Sequence, residues 1–286
     1  MKVKTPHKQG LLQFISKLTS HLFLILASVA IGLPFFWMIT TAFKSGTEVF
    51  RFPPVWIPKS LIWSNFAEAW KLAPFGRFYF NSILTSVIGV VFEVLIAVLS
   101  AYAFARIPFP KKYKDPLFMV VLAAMMIPSQ LTLIPNYVTL SRLKWIDTYA
   151  GIIVPSLSSV FGTFLLRQSF LSMNDELFDA AKIDGAGHFT TMLRIALPLA
   201  RPVLATLVLF VFIGKWNAYL WPLIVTNTEK MRTLPVGLAM VRSAEYNIGP
   251  EHLMAASLFV LLPILIVFVL AQKQLVEGIS AGAIKG

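Results

Sequence analysis

The chain has 286 residues, of which 57% are hydrophobic, 24 are phenylalanine and only 13% are charged. A soluble domain is typically about one quarter charged, and one soluble core of this size could not bury so much apolar surface. Abundant leucine, isoleucine, valine and phenylalanine with little charge exclude disorder. The lack of cysteine excludes a disulfide scaffold, a thiol nucleophile and a cysteine metal site. Composition therefore predicts a polytopic membrane protein.

Six apolar stretches follow one another along the chain, each of about the 20 residues that a helix needs to cross the bilayer. They must be helices, because an isolated strand leaves its backbone groups unpaired in lipid. The predicted fold class is therefore all-α, with six transmembrane helices. The predicted spans are 22–43, 78–105, 116–141, 148–166, 202–228 and 253–272.

This pattern divides the chain into an N-terminal tail (1–21), a six-span domain (22–272) and a C-terminal tail (273–286). The first stretch follows several lysines, as the apolar region of a cleaved signal peptide does. It is longer than the usual 7–15-residue apolar region of such peptides and has no clear small-residue cleavage site. We therefore expect it to be retained as the first span.

The net charge of +12 raises the possibility of a nucleic-acid partner. The basic residues instead flank the apolar stretches, where anionic lipid head groups attract them. Four of them lie between Arg106 and Lys114. Because basic loops stay in the cytoplasm, this loop and both termini are predicted to be cytoplasmic.

The cytoplasmic loop 167–201, between the fourth and fifth spans, contains a short predicted helix. Asn174 is suited to its N-cap, and the two acidic residues that follow suit its positive first turn. Gly185 and Gly187 are predicted to end it, since glycine adopts left-handed conformations at little cost. Ala180 and Ala181 are expected to form a helix face with short side chains, which another protein could approach closely. A second helical stretch is predicted over 188–197.

The same loop carries a characteristic spacing. Asp179-Ala180-Ala181 is followed by three residues, Gly185, nine residues, Ile195, one residue and Leu197-Pro198. This string resembles the E-A-A-x3-G-x9-I-x-L-P signature of permease subunits in bacterial and archaeal ABC importers, with Asp179 in place of the glutamate. The segments 167–170, 183–186, 216–222 and 278–286 extend the likeness to the carbohydrate-uptake branch, and it is closest to the smaller, maltose-type subunit.

The resemblance implies that 179–185 is a coupling helix seated in a cleft of a separate ATP-binding subunit. The implied partners are a second homologous permease, two ATP-binding subunits and an extracytoplasmic solute-binding protein, in a bacterial or archaeal cytoplasmic membrane. The loops 44–77 and 228–251 are expected to meet the binding protein, and the tail 280–286 the ATP-binding subunits. The implied coupling residues are Asp179, Ala180, Ala181, Asp184, Gly185, Ile195, Leu197 and Pro198.

The chain carries no signature of an enzyme. Gly214-Lys215 is followed by tryptophan, so it does not complete a phosphate-binding G-x4-G-K-[ST] loop. No H-E-x-x-H metal motif occurs either. We therefore predict no catalytic, cofactor or metal site on this chain, with ATP and Mg²⁺ bound by the partner subunits.

Polar residues inside the predicted spans are candidates for the substrate path, because a charge at mid-bilayer usually faces protein or water. Glu93 and Lys215 either line such a path or pair with each other between helices. Aromatic and amide side chains could contact a sugar, although packing or interfacial anchoring is the commoner role of aromatic residues in membrane helices. Pro128 is expected to kink the third span. The candidate path residues are Glu93, Gln130, Lys215, Trp216, Asn217 and Tyr219.

The predicted function is import of a mono- or oligosaccharide by alternating access. The same architecture importing a polyol or glycerol phosphate remains an alternative, since Lys215 is compatible with a phosphate. An autonomous secondary transporter, which needs no docking helix, is a second alternative.

Overall fold

The computed structural model describes residues 6–242 and 248–283, with side chains from residue 14 to 273 except 111 and 243–247. Every regular element in this part of the chain is helical. The expectations for the first five residues, for 243–247 of the loop 228–251 and for the side chains of the tail 280–286 lie outside the described residues.

Long helices alternate with short ones in the loops, and short 3₁₀ or π turns join some of them. In chain order the α-helices are α1 (Pro6–Ala42), α2 (Gly46–Val49), α3 (Ser64–Lys71), α4 (Phe75–Arg106), α5 (Lys111–Ala123), α6 (Leu133–Arg142), α7 (Tyr149–Ile153), α8 (Val160–Leu171), α9 (Asp175–Ile183), α10 (His188–Thr191), α11 (Leu197–Leu199), α12 (Arg201–Trp216), α13 (Leu220–Val225), α14 (Leu234–Val241) and α15 (Pro250–Ala283).

Three single helical segments are long and apolar enough to cross a membrane, namely Phe14–Ala42, Phe75–Arg106 and Pro250–Lys273. Three further pairs of helical segments satisfy the same criteria together, although each pair is bent at a short break. The described residues thus contain three candidate spans, or six if each bent pair is one crossing. These findings confirm the predicted all-α polytopic class.

The bend in the third span lies where the sequence places Pro128. Helical segments Lys112–Met126 and Ser129–Arg142 meet there at 87°. Proline has no N–H to donate and its ring collides with the carbonyl four residues earlier, so it ends the first segment. The predicted kink is confirmed.

The helix that contains most of the first predicted span, 22–43, is longer than that span and begins at Pro6. Lys17 does not end it, because a lysine stem can lie along a helix while its charge reaches the interface. The fifth stretch, 202–228, is not one helix, since α12 ends at Trp216 and α13 starts at Leu220. In a continuous helix the ring of Pro222 would collide with the carbonyl of Ala218.

The chain forms two units, residues 1–72 with 241–259 and residues 73–240 with 260–286. In the larger unit, α4 packs against α8 and α12. Small residues make this approach possible. A Cβ added to Gly162 of α8 would lie 3.1 Å from Ala97 of α4 and from Leu207 of α12. Close backbone approach at small residues is how helices associate in lipid, where apolar burial gives little driving force.

In the smaller unit, the side chain of Asn65 closes the C-terminal end of α1. Its amide donates hydrogen bonds to the carbonyls of Ala42 and Lys44, at 2.9 and 2.8 Å. The last carbonyls of a helix have no partner within it, so this amide supplies one. The loop after α1 is thereby held against α3.

In the larger unit, Asp147 holds the start of the loop 228–251. Its carboxylate accepts hydrogen bonds from the backbone N–H of Asn227 (2.8 Å) and from the N–H and hydroxyl of Thr228 (3.1 and 2.8 Å). Burial raises the pKa of Asp147, but the hydrogen bonds from Thr228 and Asn227 outweigh it and leave this pKa below its usual value. Asp147 is therefore ionised at neutral pH and keeps these bonds.

Candidate coupling helix and membrane cavity

Helix α9 has a defined signal at each end. The side chain of Asn174 accepts a hydrogen bond from the N–H of Glu176 at 3.1 Å, which confirms the predicted N-cap. At the other end Gly185 has φ +75°. Its N–H donates to the carbonyl of Lys182, and that of Ala186 to the carbonyl of Ala181. This pair of bonds is the Schellman motif, which needs a left-handed residue at the position of Gly185.

The second predicted terminator, Gly187, does not end α9. It has φ −72° and is instead the N-cap of α10. One left-handed residue is enough to satisfy the last carbonyls of α9, so a second one is not required.

Valine in place of Gly185 is expected to reduce the yield of assembled complex. A Cβ at this position would meet nothing within 4 Å, so the cost is backbone strain and not crowding. A left-handed conformation costs a residue with a Cβ about 1–2 kcal/mol, and a β-branched residue more. The measurement is the amount of complex recovered through an affinity tag on this chain.

Gly187→Val is the matched control for that variant. It adds the same side chain two residues away, at a negative φ and with no atom within 4 Å of the new Cβ. Asparagine tolerates the left-handed region, so Gly185→Asn should keep most of the yield. Equal losses in Gly185→Val and Gly187→Val would contradict the assigned role of Gly185.

One face of α9 is packed against the core of the larger unit. Phe178 and Ala181 are 6% and 5% exposed and Phe178 belongs to the same cluster as Tyr102 and Phe170. The expectation that Ala181 forms part of an open face was therefore wrong. Its position in the helical repeat puts it beside Phe178, so it faces the bundle.

Arg106, the last residue of α4, anchors α9. Its guanidinium donates hydrogen bonds to the carbonyls of Phe170 and Met173, forms an ion pair with Asp175 and lies 3.8 Å from the ring centre of Phe178. The side chain is only 10% exposed. Because a guanidinium has five donors in a rigid plane, one residue fixes the ends of α4 and α8 and the start of α9.

The opposite face of α9 is open. Asp179 and Ala180 are exposed, and Asp179 pairs with Lys182 at 2.8 Å on the surface. Ile183 is 86% exposed although it lies in none of the candidate spans. This face of α9, with an exposed apolar side chain beside charged ones, is therefore accessible to another protein.

The remaining residues of the spacing pattern divide between surface and core. Asp184 and Gly185 are exposed at the C-terminal end of α9, whereas Ile195, Leu197 and Pro198 are half-buried. Ile195 lies in a π-helical turn, Met192–Ala196, and Leu197 packs against the core cluster. The pattern thus combines exposed positions on α9 with positions that join the loop to the membrane bundle.

A cavity with a volume of about 820 Å³ lies in the larger unit, among α4, α12 and the breaks in the bent helices. Glu93 and Lys215 meet in its wall at 2.7 Å. The predicted alternative that these two residues pair with each other is thereby confirmed. The rest of the wall combines hydroxyl, amide and apolar side chains, including Thr85, Ser129, Gln130, Asn136, Ser156, Ser159, Phe161 and Trp221.

Three of the six candidate path residues line this cavity, namely Glu93, Gln130 and Lys215. Trp216 does not, since it is 2% exposed and its indole N–H donates to the carbonyl of Val260 at 3.0 Å. Asn217 and Tyr219 are exposed but are not among the lining residues. The alternative that Trp216 serves in packing therefore fits the structure. Of the two neighbouring residues of α12, Lys215 faces the cavity and Trp216 does not.

Sequence reasoning missed three residues at these sites. From the sequence, Arg106 was interpreted only as one of the basic residues of a cytoplasmic loop. Ile183 was interpreted only as part of a segment that resembles the family. Ser156, which contacts Lys215, carried no signal beyond its place after a proline. The position of Ile183, an aliphatic residue between the charged Lys182 and Asp184, was a usable signal. The contacts of Arg106 and Ser156 depend on residues distant in sequence.

A family model described as "binding-protein-dependent transport system inner membrane component" matches residues 93–280. Curated relatives include the sn-glycerol-3-phosphate transport system permease proteins UgpE of Pectobacterium atrosepticum and Brucella abortus. Each is 33% identical to this chain, and the alignments cover 91% and 93% of this chain and 94% and 96% of the relatives.

Two solved structures have a similar fold. A bacterial ABC transporter involved in the import of the acidic polysaccharide alginate matches with a TM-score of 0.81 and 22% identity, over 96% of this chain and 99% of the solved chain. A bacterial alginate ABC transporter in complex with an alginate pentasaccharide-bound periplasmic protein matches with a TM-score of 0.62 and 16% identity, over 92% and 93%.

The all-helical bundle with its bent candidate spans is that of a polytopic membrane protein. The chain belongs to the family of inner-membrane components of binding-protein-dependent transport systems. It is a multi-pass inner-membrane permease of a bacterial ABC importer, and ATP binding belongs to a partner ATPase. The alternative of an autonomous secondary transporter was therefore wrong.

Proposed function

We propose that this chain is one of two homologous permease subunits in a sugar importer, and that α9 docks into one of two ATP-binding subunits. The observation that carries this proposal is the open face of α9, where Ile183 is 86% exposed outside the candidate spans. Through Arg106 the same helix is attached to α4 and α8. A helix that is docked on one face and anchored on the other transmits motion to the spans beside it.

The basic loop after α4 supports a cytoplasmic position for α9. Arg106, Lys112 and Lys114 belong to the loop between the second and third predicted spans, and basic loops are retained in the cytoplasm. Both termini are then cytoplasmic, and the loops 44–77 and 228–251 are extracytoplasmic, where a solute-binding protein would dock. In this arrangement, closure of the ATP-binding subunits opens the cavity outward and their separation opens it inward.

The wall of the cavity favours a neutral sugar as the solute. Hydroxyl and amide groups from Ser129, Gln130, Asn136 and Ser159 can exchange hydrogen bonds with sugar hydroxyls, and Phe161 and Trp221 offer apolar surface to ring faces. The solute would pass between this wall and the second permease. Since the curated relatives are named as sn-glycerol-3-phosphate permeases, glycerol phosphate is the second candidate solute.

Removal of the exposed side chain of Ile183 tests the docking proposal. Ile183→Ala is expected to weaken the association of the ATP-binding subunit by about 5–30-fold, since a central apolar contact in a protein interface contributes about 1–2 kcal/mol. The permease should still insert and fold, because this side chain makes little contact with its own chain. The measurement is the dissociation constant of the purified ATP-binding subunit from the permease in nanodiscs.

Ile25→Ala is the matched control, since it removes the same atoms from a side chain that is 59% exposed on the apolar segment of α1. It should leave the dissociation constant unchanged. If Ile183→Ala behaves like Ile25→Ala, α9 does not dock through this face.

A further inference from the structure

Glu93 and Lys215 carry the only charges among the described residues that line the cavity. Their charged atoms lie 2.7 Å apart, and their side chains are only 11% and 14% exposed. The electrostatic potentials of two opposite unit charges this close together largely cancel at distances of more than a few ångströms from the pair. Despite the chain's excess of basic residues, this wall therefore presents no net charge to a solute.

The ammonium group of Lys215 has no hydrogen-bond donor left for a solute. An ammonium group has three N–H donors. The carboxylate of Glu93 takes one, the backbone carbonyl of Ser156 a second and the hydroxyl of Ser156, at 2.8 Å, the third.

The lysine stem is also held in place. A Cβ added to Gly89 would lie 3.2 Å from Cε of Lys215, so the stem packs directly on the backbone of α4. Gly89 is one turn before Glu93, which brings the ammonium to the carboxylate. Reorientation of Lys215 toward a solute would leave the buried Glu93 carboxylate without its partner, which is strongly unfavourable.

We infer that Glu93 is a specificity-determining residue that prevents Lys215 from binding anionic solutes and so restricts this wall to neutral polyhydroxyl compounds. This inference rests on the proposed function, since it concerns the solute of the same cavity. A phosphate-bearing solute would have to displace Glu93 from Lys215 and then lie beside the released carboxylate, where like charges repel. A neutral solute needs only the surrounding hydroxyl and amide groups.

Glu93→Gln tests the inference, because it removes the negative charge with almost no change in volume. The assembled complex, purified without the solute-binding protein, is titrated calorimetrically with glycerol 3-phosphate and, separately, with glycerol. The wild-type complex should not bind glycerol 3-phosphate more tightly than glycerol. Glu93→Gln should bind glycerol 3-phosphate at least about tenfold more tightly than the wild type does, with no matching gain for glycerol.

Two further variants separate the cavity from the rest of the chain. The double variant Glu93→Gln, Lys215→Met has no charge at the site and should lose the gain for glycerol 3-phosphate. Glu229→Gln also removes one carboxylate beside a cation, Arg232, but lies outside the cavity lining. It should not bind glycerol 3-phosphate more tightly than the wild type.

An assembled Glu93→Gln complex without the gain overturns the inference, and so does a gain that persists in the double variant. If Glu93→Gln does not assemble, Ser129→Lys places an unpaired cation in the same wall, and absence of a gain there overturns the inference equally. Wild-type binding of glycerol 3-phosphate that Lys215→Met abolishes overturns both the inference and the proposed sugar substrate. Failure of docking through α9 is detected separately, in the Ile183→Ala measurement.

Discussion

Replacement of Arg106 by alanine is expected to reduce the amount of solute transported per ATP hydrolysed by about tenfold. The variant loses the bonds to the carbonyls of Phe170 and Met173 and the ion pair with Asp175. Helix α9 then keeps its own hydrogen bonds and its open face but is no longer fixed to the end of α4. The ATP-binding subunits should still bind and hydrolyse ATP, with less of their motion reaching the spans.

The ratio of transported solute to hydrolysed ATP, measured in proteoliposomes, distinguishes this effect from simple destabilisation. A loss of folded complex lowers both rates in proportion and leaves the ratio unchanged. Arg106→Lys should restore it only in part, since an ammonium group cannot replace a planar group with five donors. Arg142→Ala, which removes an exposed arginine at the end of α6, is the control. An unchanged ratio in Arg106→Ala would show that this anchor is not used in coupling.

Asp179→Lys should abolish transport-coupled ATP hydrolysis while the permease still inserts into the membrane. Asp179 is exposed on the open face of α9, and its pair with Lys182 is on the surface. Such surface pairs contribute about 0–1 kcal/mol, so α9 itself should remain folded. A charge reversed inside a docked interface costs about 2–5 kcal/mol, which predicts at least about 30-fold weaker coupling. The measurement is ATP hydrolysis stimulated by the liganded binding protein.

A charge swap distinguishes docking from local stability. Asp179→Lys combined with Lys182→Asp restores an ion pair within α9 but still presents reversed charges to a partner. If docking is the cause of the loss, the swap stays uncoupled, and Asp179→Asn loses less than Asp179→Lys. Recovery of coupled hydrolysis in the swap would mean that Asp179 serves only the helix.

Local features of the sequence were enough to predict the start and end of α9 and the break in the third span. Asn174 caps α9, Gly185 ends it in a left-handed conformation and Pro128 breaks the third span. Each of these features depends on the conformational preference of one residue and its neighbours within one turn. The prediction that failed was the continuity of the fifth stretch. A search for charge-free stretches does not register that a proline inside such a stretch interrupts the helix.

The two faces of α9 show what local patterns leave open. Ala180 and Ala181 are chemically identical, yet one is exposed and the other is 5% exposed against the core. The difference comes from the contact of Phe178 with Tyr102 and Phe170, which belong to helices far away in sequence. The role of Arg106 was hidden for the same reason, since its partners lie in other helices.

The membrane class, the approximate spans and the helix α9 follow from the order of residues, because hydropathy, capping and family-like spacing are properties of neighbouring positions. The pairing of Glu93 with Lys215, the exclusion of Trp216 from the cavity and the attachment of α9 to α4 follow from the packed bundle. They depend on how helices rotate about their axes and approach one another. Small residues such as Gly89 and Gly162 permit that approach, but they do not reveal which partner will fill the space beside them.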